Sequence, residues 1–194
     1  SAGRLKAAAA LMLLSPFVPM LFQGEEWAAA SPFLYFTDHA DPDLGAAVKK
    51  GRCREFAAFG WDPETIPDPQ AQDTFARSRL NWAEKDKPAH ADIHQWYRNL
   101  IALRKKLPEA ADGRVDQVNA AADDTAGWLV MTRGKLVVAC NLAEATQVVP
   151  VAGADCMELQ LCSARAPEIS AAGILLPKDS AAVLYGNPDR KETK

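Results

Sequence analysis

Apolar positions along this chain come in two textures that meet near Pro108. Upstream, Arg4 to Leu14 is rich in Ala and Leu, which are good helix formers, and Pro16 should stop the run. Phe17 to Phe22 is a short solid apolar run ending at Gly24, the pattern of a strand buried on both sides. Helix, tight turn and strand together read as the αβ step of a parallel sheet. From Ala91 to Leu107 the residues Ile93, Trp96, Tyr97, Leu100, Ile101 and Arg104 follow the 3–4 spacing of one helix face, and Pro108 ends it. Downstream the runs are short and β-rich: Val115–Val118, Gly127–Thr132, Leu136–Asn141, Thr146–Val151, Met157–Leu161, Gly173–Leu176 and Ser180–Tyr185. Turn signals separate them, among them Ala122-Asp123-Asp124, Arg133-Gly134 and Ala152-Gly153. Regular short strands with turns between them predict a small antiparallel sandwich or barrel. The expected division is residues 1–108, residues 109–188, and a disordered tail over 189–194.

Between these textures lies a long irregular stretch, from about Gly24 to Trp82, dense in Pro, Asp, Gly and aromatics. Ala46 to Phe59 can hold a short helix. A loop of this length is usually functional or disordered. Its aromatics (Trp27, Phe33, Tyr35, Phe36, Phe56, Phe59, Trp61, Phe75) argue against disorder.

Composition narrows the classes. The 194 residues carry a formal net charge of −3, and the one basic cluster, Arg104-Lys105-Lys106, ends a predicted helix. That placement suits a helix terminus better than a phosphate site, so no nucleic-acid partner is expected. Arg4 and Lys6 ahead of Ala7 to Leu14 have the look of a signal peptide. Yet the chain opens on Ser1, and Pro16 and Pro19 break the run short of the roughly 20 residues a membrane span needs. A buried helix feeding a strand is the expectation, with no membrane association. Cys53, Cys140, Cys156 and Cys162 show neither C-x-x-C spacing nor a nearby histidine, so no zinc site is expected. They read as small hydrophobes in a reducing cytoplasm, with a Cys156–Cys162 pairing left open.

Three clusters have chemical potential. In Phe22-Gln23-Gly24-Glu25-Glu26-Trp27, a buried strand would end in Gly and then acids, at the sheet end where α/β barrels bind and react. Glu25 and Glu26 are adjacent, so in extended chain only one points into a cleft. That is a poor match for carboxyls facing each other across a scissile bond. Gln23, Glu25, Glu26 and Trp27 are candidate sugar contacts, against the plainer reading that one Glu binds a backbone donor or an Arg and organises the loop. In Tyr35-Phe36-Thr37-Asp38-His39, the rings of Tyr35 and Phe36 beside Asp38 and His39 suit carbohydrate, whose C–H faces stack while hydroxyls pair with polar groups. The plainer reading is a turn in which Asp38 caps the next element. His90 and His94 have i, i+4 spacing but lack the Glu of a zinc-protease helix, and read as packing or solvated residues.

The segment LLSPFVPMLFQGEEW resembles the last helix-to-strand step of the α-amylase superfamily barrel. HQWYRNLIALRKKLP is similar to that superfamily's closing helix, ahead of its C-terminal β domain. PFLYFTDHADPDL, GRCREF, PDPQ and TFARSRLNW are more specific, and resemble the malto-oligosyltrehalose trehalohydrolases rather than amylases or branching enzymes. The likeness covers residues 5–108 closely and the remainder by strand pattern alone.

This resemblance implies an α/β plus all-β chain: the C-terminal part of a (β/α)8 barrel followed by a small antiparallel β-sandwich. It further implies a retaining glycosidase that releases trehalose from malto-oligosyltrehalose using two carboxyls and a glycosyl-enzyme intermediate. No metal or organic cofactor is implied. The family's nucleophile, acid/base and stabilising acids follow its fourth, fifth and seventh strands, the last in an Asn-His-Asp motif. No Asn-His-Asp occurs here, so no catalytic residue is expected in this chain. Its partners would be a malto-oligosaccharide-type substrate and the preceding part of the same enzyme. Two rivals remain: a branching enzyme or amylase of the same superfamily, and a non-catalytic glucan-binding module.

Overall fold

The structure is a computed structural model that describes residues 1–165 and 167–186. The expected tail at 189–194 lies outside the described residues. The chain forms two compact units, one of Ser1–Glu26 with Ala91 onward, the other of Trp27–His90.

The first unit is built on two antiparallel sheets. In chain order its strands are β1 (Val118–Asp123), β2 (Trp128–Arg133), β3 (Leu136–Asn141), β4 (Gln147–Pro150), β5 (Glu158–Cys162), β6 (Glu168–Ser170), β7 (Gly173–Leu176) and β8 (Ser180–Tyr185). One sheet has the order β1-β2-β3-β8-β5 and the other β4-β7-β6. Side chains alternate across a strand, so Val137 and Ala139 of β3 share a face with their partners Leu184 and Ala182 of β8. That face meets Val149, Val151, Ile174 and Leu176 from the second sheet in one buried cluster. The opposite face, with Val138, Cys140, Ala181 and Val183, is equally buried.

Its cover is helix α1 (Ala2–Leu14), which packs on β8 and β3. Ala7, Ala9 and Ala10 are buried, and small residues let a helix lie close. The approach is closest at Gly3, where any Cβ would collide with the carbonyl oxygen of Asp179. Asp179 in turn accepts from Ser1 Oγ at 2.6 Å and Arg4 Nε at 2.7 Å, fixing the start of α1 to the turn before β8. All six residues of β3 are buried. At roughly 1.5–3 kcal/mol for each fully buried aliphatic side chain, this strand anchors the unit.

The long amphipathic helix, Pro88–Lys106, lays Ile93, Trp96, Tyr97, Leu100 and Leu103 inward. Trp96 Nε1 donates to the Lys6 carbonyl at 2.9 Å, and Lys6 pairs with Asp92. The last carbonyls of a helix have no partner within it and carry partial negative charge. Two arginines meet those at the end of α1. Arg104 donates to Leu13 and Ser15 at 2.5 and 2.8 Å and to Phe17 at 3.0 Å. Arg133, buried, donates to Leu14 at 2.6 Å and also to Asp112.

Two sequence expectations need correction. Phe17–Phe22 forms no strand; it is coil that begins in a bend, with Val18 93% and Met20 81% exposed. A strand needs backbone partners on its edges, and none of the described strands pairs with it. Val115–Gln117 is a single 3-10 turn, and β1 continues through the expected turn at Ala122-Asp123. The first compact unit groups α1 with the strands, because the apolar outer face of β3 and β8 takes α1 as its cover. The short strand β6 is absent from the sequence pattern. The four cysteines are free, Cys156 and Cys162 included.

In the second unit, Asp41 caps helix α2 (Pro42–Ala57), its carboxylate accepting from Asp43 N–H at 2.9 Å. The expected cap, Asp38, is exposed. Helix α3 (Gln72–Arg77) comes next; the helix from Pro88 is α4, and Pro108–Ala111 is α5. Among the described residues no helix is long and apolar enough to cross a membrane.

Candidate functional site

The sequence candidates fall in both units, and each group has its own local geometry. In the first, Gly24 takes a φ of 82°, which turns the chain back so that Glu25 N–H donates to the Phe22 carbonyl at 3.0 Å. Glu25 Oε2 accepts from Phe22 N–H at 3.0 Å, and Oε1 accepts from the Tyr97 hydroxyl at 3.1 Å. Burial, then the nearby charge and hydrogen bond of Glu25, hold the Tyr97 hydroxyl well above its ordinary range, so it stays a donor. Both oxygens of Glu25 are thus occupied in organising the turn, the plainer of the two readings of this residue. Glu26 is half-buried and Gln23 exposed.

Trp27 opens the second unit. Its ring is buried and lies 5.0 Å from that of Trp82, while its carbonyl pairs with His90 Nδ1 at 2.8 Å. The indole N–H has no partner among the described residues. Further on, the side-chain amide of Gln70 holds the segment that contains Asp38. Gln70 Oε1 accepts from Thr37 Oγ1 at 2.6 Å and from His39 N–H at 3.1 Å, and Nε2 donates to the His39 carbonyl at 3.1 Å. One amide therefore satisfies both backbone groups of His39, as a neighbouring strand would. Gly45 of α2 leaves room for it, since a Cβ there would come within 2.9 Å of Nε2.

Tyr35 and Phe36 are neighbours in coil and do different things. Phe36 packs edge-on against Phe75 at 5.1 Å and Phe33 at 6.1 Å. Tyr35 lines an open pocket of about 240 Å³ with Phe33, Arg52, Phe56, Trp61 and Pro67. Arg52 stands 4.2 Å from the centre of the Tyr35 ring and 4.9 Å from that of Phe56. Asp38 and His39 do not line this pocket. Aromatic faces around one cation can hold a flat, partly apolar ligand bearing hydrogen-bond acceptors.

No family profile matches the chain. A malto-oligosyltrehalose trehalohydrolase of Mycobacterium tuberculosis (strain H37Rv) is 47% identical over 151 residues, covering 78% of this chain. The protein of the same name from Brevibacterium helvolum is 41% identical over 184 residues, covering 95% of it. By sequence, the chain belongs to the malto-oligosyltrehalose trehalohydrolase family. It spans only 26% and 31% of the length of those two relatives. Among solved structures, a Salmonella typhimurium protein assigned as an alpha amylase matches with a TM-score of 0.77 and 31% identity, over 96% of this chain and 31% of that one. A mixed fold of helices and antiparallel sheet is therefore common to this chain and an α-amylase family protein.

Two residues of the candidate site were missed in the sequence, Gln70 and Arg52. Both lie in segments that resemble the trehalohydrolases, PDPQ and GRCREF. The family-specific motifs were thus the available signal, and neither residue has acid–base chemistry to draw notice.

Proposed function

We propose that this chain is the C-terminal portion of a malto-oligosyltrehalose trehalohydrolase. Residues 1–108 would be the end of its (β/α)8 barrel and residues 109–188 its C-terminal β-sandwich. The whole enzyme would hydrolyse the α-1,4 bond next to the terminal trehalose unit, with its two catalytic carboxyls supplied by the part preceding this chain. The observation that carries this reading is 41% to 48% identity to several proteins of that name over most of the chain, each matched over less than a third of its own length. The exposed apolar run at Phe17–Phe22 supports it, since a barrel strand buries such a run between neighbours. So do the acids and aromatics of the two candidate segments, which suit a glucan.

In this reading the two segments contribute sugar contacts, not the reacting groups. Gln23, Glu26, Asp38 and His39 have side chains without a hydrogen-bond partner among the described residues, available to substrate hydroxyls, whereas Glu25 and Gln70 hold the loops that present them. The test is trehalose release from malto-oligosyltrehalose by the full-length enzyme, beside the 194-residue chain alone. Release by the former and none by the latter is expected, because nucleophile and proton donor are both outside the chain. Release by the purified chain would overturn the assignment of the catalytic groups. The structural match to a protein assigned as an alpha amylase favours one second reading, cleavage inside an α-1,4-glucan. Shorter maltodextrins without trehalose as the main products would establish it.

A further inference from the structure

We infer that the pocket between Tyr35, Arg52, Phe56 and Trp61 is a binding subsite for one pyranose unit of an α-glucan. The inference deepens the glucan-hydrolase reading and rests on it for the class of sugar. Four observations point to a sugar rather than to an anion or a peptide. The pocket wall is made of rings: Phe33, Tyr35, Phe56 and Trp61, with Trp61 tilted against Phe56 at 5.2 Å. Trp61 is 59% exposed, so an apolar ring face stands open, which soluble chains rarely leave without a use when several such rings adjoin. Among the described residues Arg52 is the only cation lining the space, and it is fixed between Tyr35 and Phe56. No hydrogen bond or ion pair engages that guanidinium among the described residues, so its donors remain open to a ligand.

A pyranose ring satisfies all of these at once. Its C–H face covers an aromatic ring, and its hydroxyl oxygens accept from the guanidinium. A phosphate or carboxylate would use the single cation and leave the rings bare. A peptide would need backbone partners, and the wall offers few polar atoms. The volume, about 240 Å³, equals about eight waters at the liquid's share of space and holds one sugar ring. The remaining units of a chain would extend past the open side.

The experiment is calorimetric titration of maltotriose into the 194-residue chain and four variants, with circular dichroism to confirm folding. Saturable binding by the unaltered chain is expected, weakened roughly tenfold by Trp61→Ala and by Arg52→Gln. Trp61→Phe, which keeps a ring, should recover most of the affinity, while Arg52→Lys, which loses the planar fork, should not. Absence of maltotriose binding, equal binding by Trp61→Ala and Arg52→Gln, or displacement of maltotriose by millimolar inorganic phosphate would each overturn the subsite. Should Trp61→Ala fail to fold, Arg52→Gln decides the matter alone. Trehalose release by the full-length enzyme separates the two claims. Release without maltotriose binding to this chain ends the subsite and keeps the hydrolase; binding without release does the reverse.

Discussion

Leu136–Asn141 and Phe17–Phe22 are nearly interchangeable as patterns, and the fold treats them in opposite ways. Each is six residues of mostly uninterrupted apolar sequence, bounded by turn residues, and each reads as a strand. The first is β3, hydrogen-bonded to β2 and β8, with a second sheet over one face and α1 over the other. The second is coil, with Phe17, Val18 and Met20 largely exposed. An apolar run thus states a demand for burial and says nothing about whether the partners exist in the same chain. β3 finds its strand partners and its helical cover within this chain. Phe17–Phe22 awaits partners that, on the barrel reading, belong to the preceding sequence.

The sharpest way to break this comparison is to place a charge in each run. Val138→Asp puts a carboxylate where the side chain has no access to water and should cost about 4 kcal/mol or more, unfolding the first unit. Val18→Asp in the same chain should change stability by no more than about 0.5 kcal/mol. In the longer enzyme that same change should become costly, about 3 kcal/mol, if Val18 sits in a closed barrel. Chemical denaturation of both variants in both lengths checks the pair. A Val18→Asp enzyme as stable as its parent would remove Phe17–Phe22 from any barrel.

Next in size is the junction between the two runs. Arg133 is 2% exposed and ties the end of α1 to β2 through the Leu14 carbonyl. Burial pulls its pKa below the ordinary value, with the nearby Arg104 adding to the effect and the charges of Asp112 and Glu109 opposing it. Arg133→Met keeps the volume and strands two carbonyls, so a loss of about 2–3 kcal/mol is expected in denaturant midpoints. A neutral or stabilising result would show that the desolvation cost of the cation outweighs its bonds.

Tyr97→Phe tests the other end of the exposed run. Removing the hydroxyl frees Glu25 Oε1 and should cost about 1 kcal/mol, while loosening the turn at Gly24. Faster amide exchange at Phe22 and Glu25, without change in the sheets, is the expected signature. Equal exchange in both proteins would mean that the Phe22 contact alone sets the turn.

Ionisation supplies the gentlest probe. Burial pushes the Cys140 thiol of β3 up to about 12 from its ordinary 9.0, and burial beside Glu25 raises Tyr97 above its ordinary 10.0. Both groups keep their protons longer in the folded state than in the unfolded one. The stability they contribute is whole below about pH 9 and is lost as pH rises from there towards 12. Melting temperature should therefore fall over that window, and less steeply in Cys140→Ala. Iodoacetamide at pH 8 should leave Cys140 unlabelled while a cysteine placed at Val18 reacts at the rate of a free thiol. Rapid labelling of Cys140 would show that β3 opens far more readily than its burial implies.

Much of the first unit was legible beforehand because its signals are local. Periodicity located α1 and α4 to within a few residues, and alternation with turn dipeptides located β2, β3, β7 and β8. β6 escaped because three residues, Glu168–Ser170, are too few to show a period. At the candidate site the local signal ran out sooner. Adjacency of Glu25 and Glu26 spoke against a facing acid pair. What Glu25 binds is Tyr97, 72 residues away, and what holds His39 is Gln70, 31 residues away. No spacing rule reaches that far.

The sequence by itself therefore determined most of the helices and strands of the first unit and which segments demand burial. It also determined the family, because motifs such as PDPQ and GRCREF are strings that need no folding to be compared. Only the tertiary structure decided which buried faces meet. It set α1 over β3 and β8, gave the end of α1 to Arg104 and Arg133, and sent Tyr35 into a pocket while Phe36 turned into the packing. The physical reason is that propensity and amphipathicity act over a few residues. Burial and hydrogen-bond satisfaction are settled between elements, by whichever surfaces the folded chain brings together.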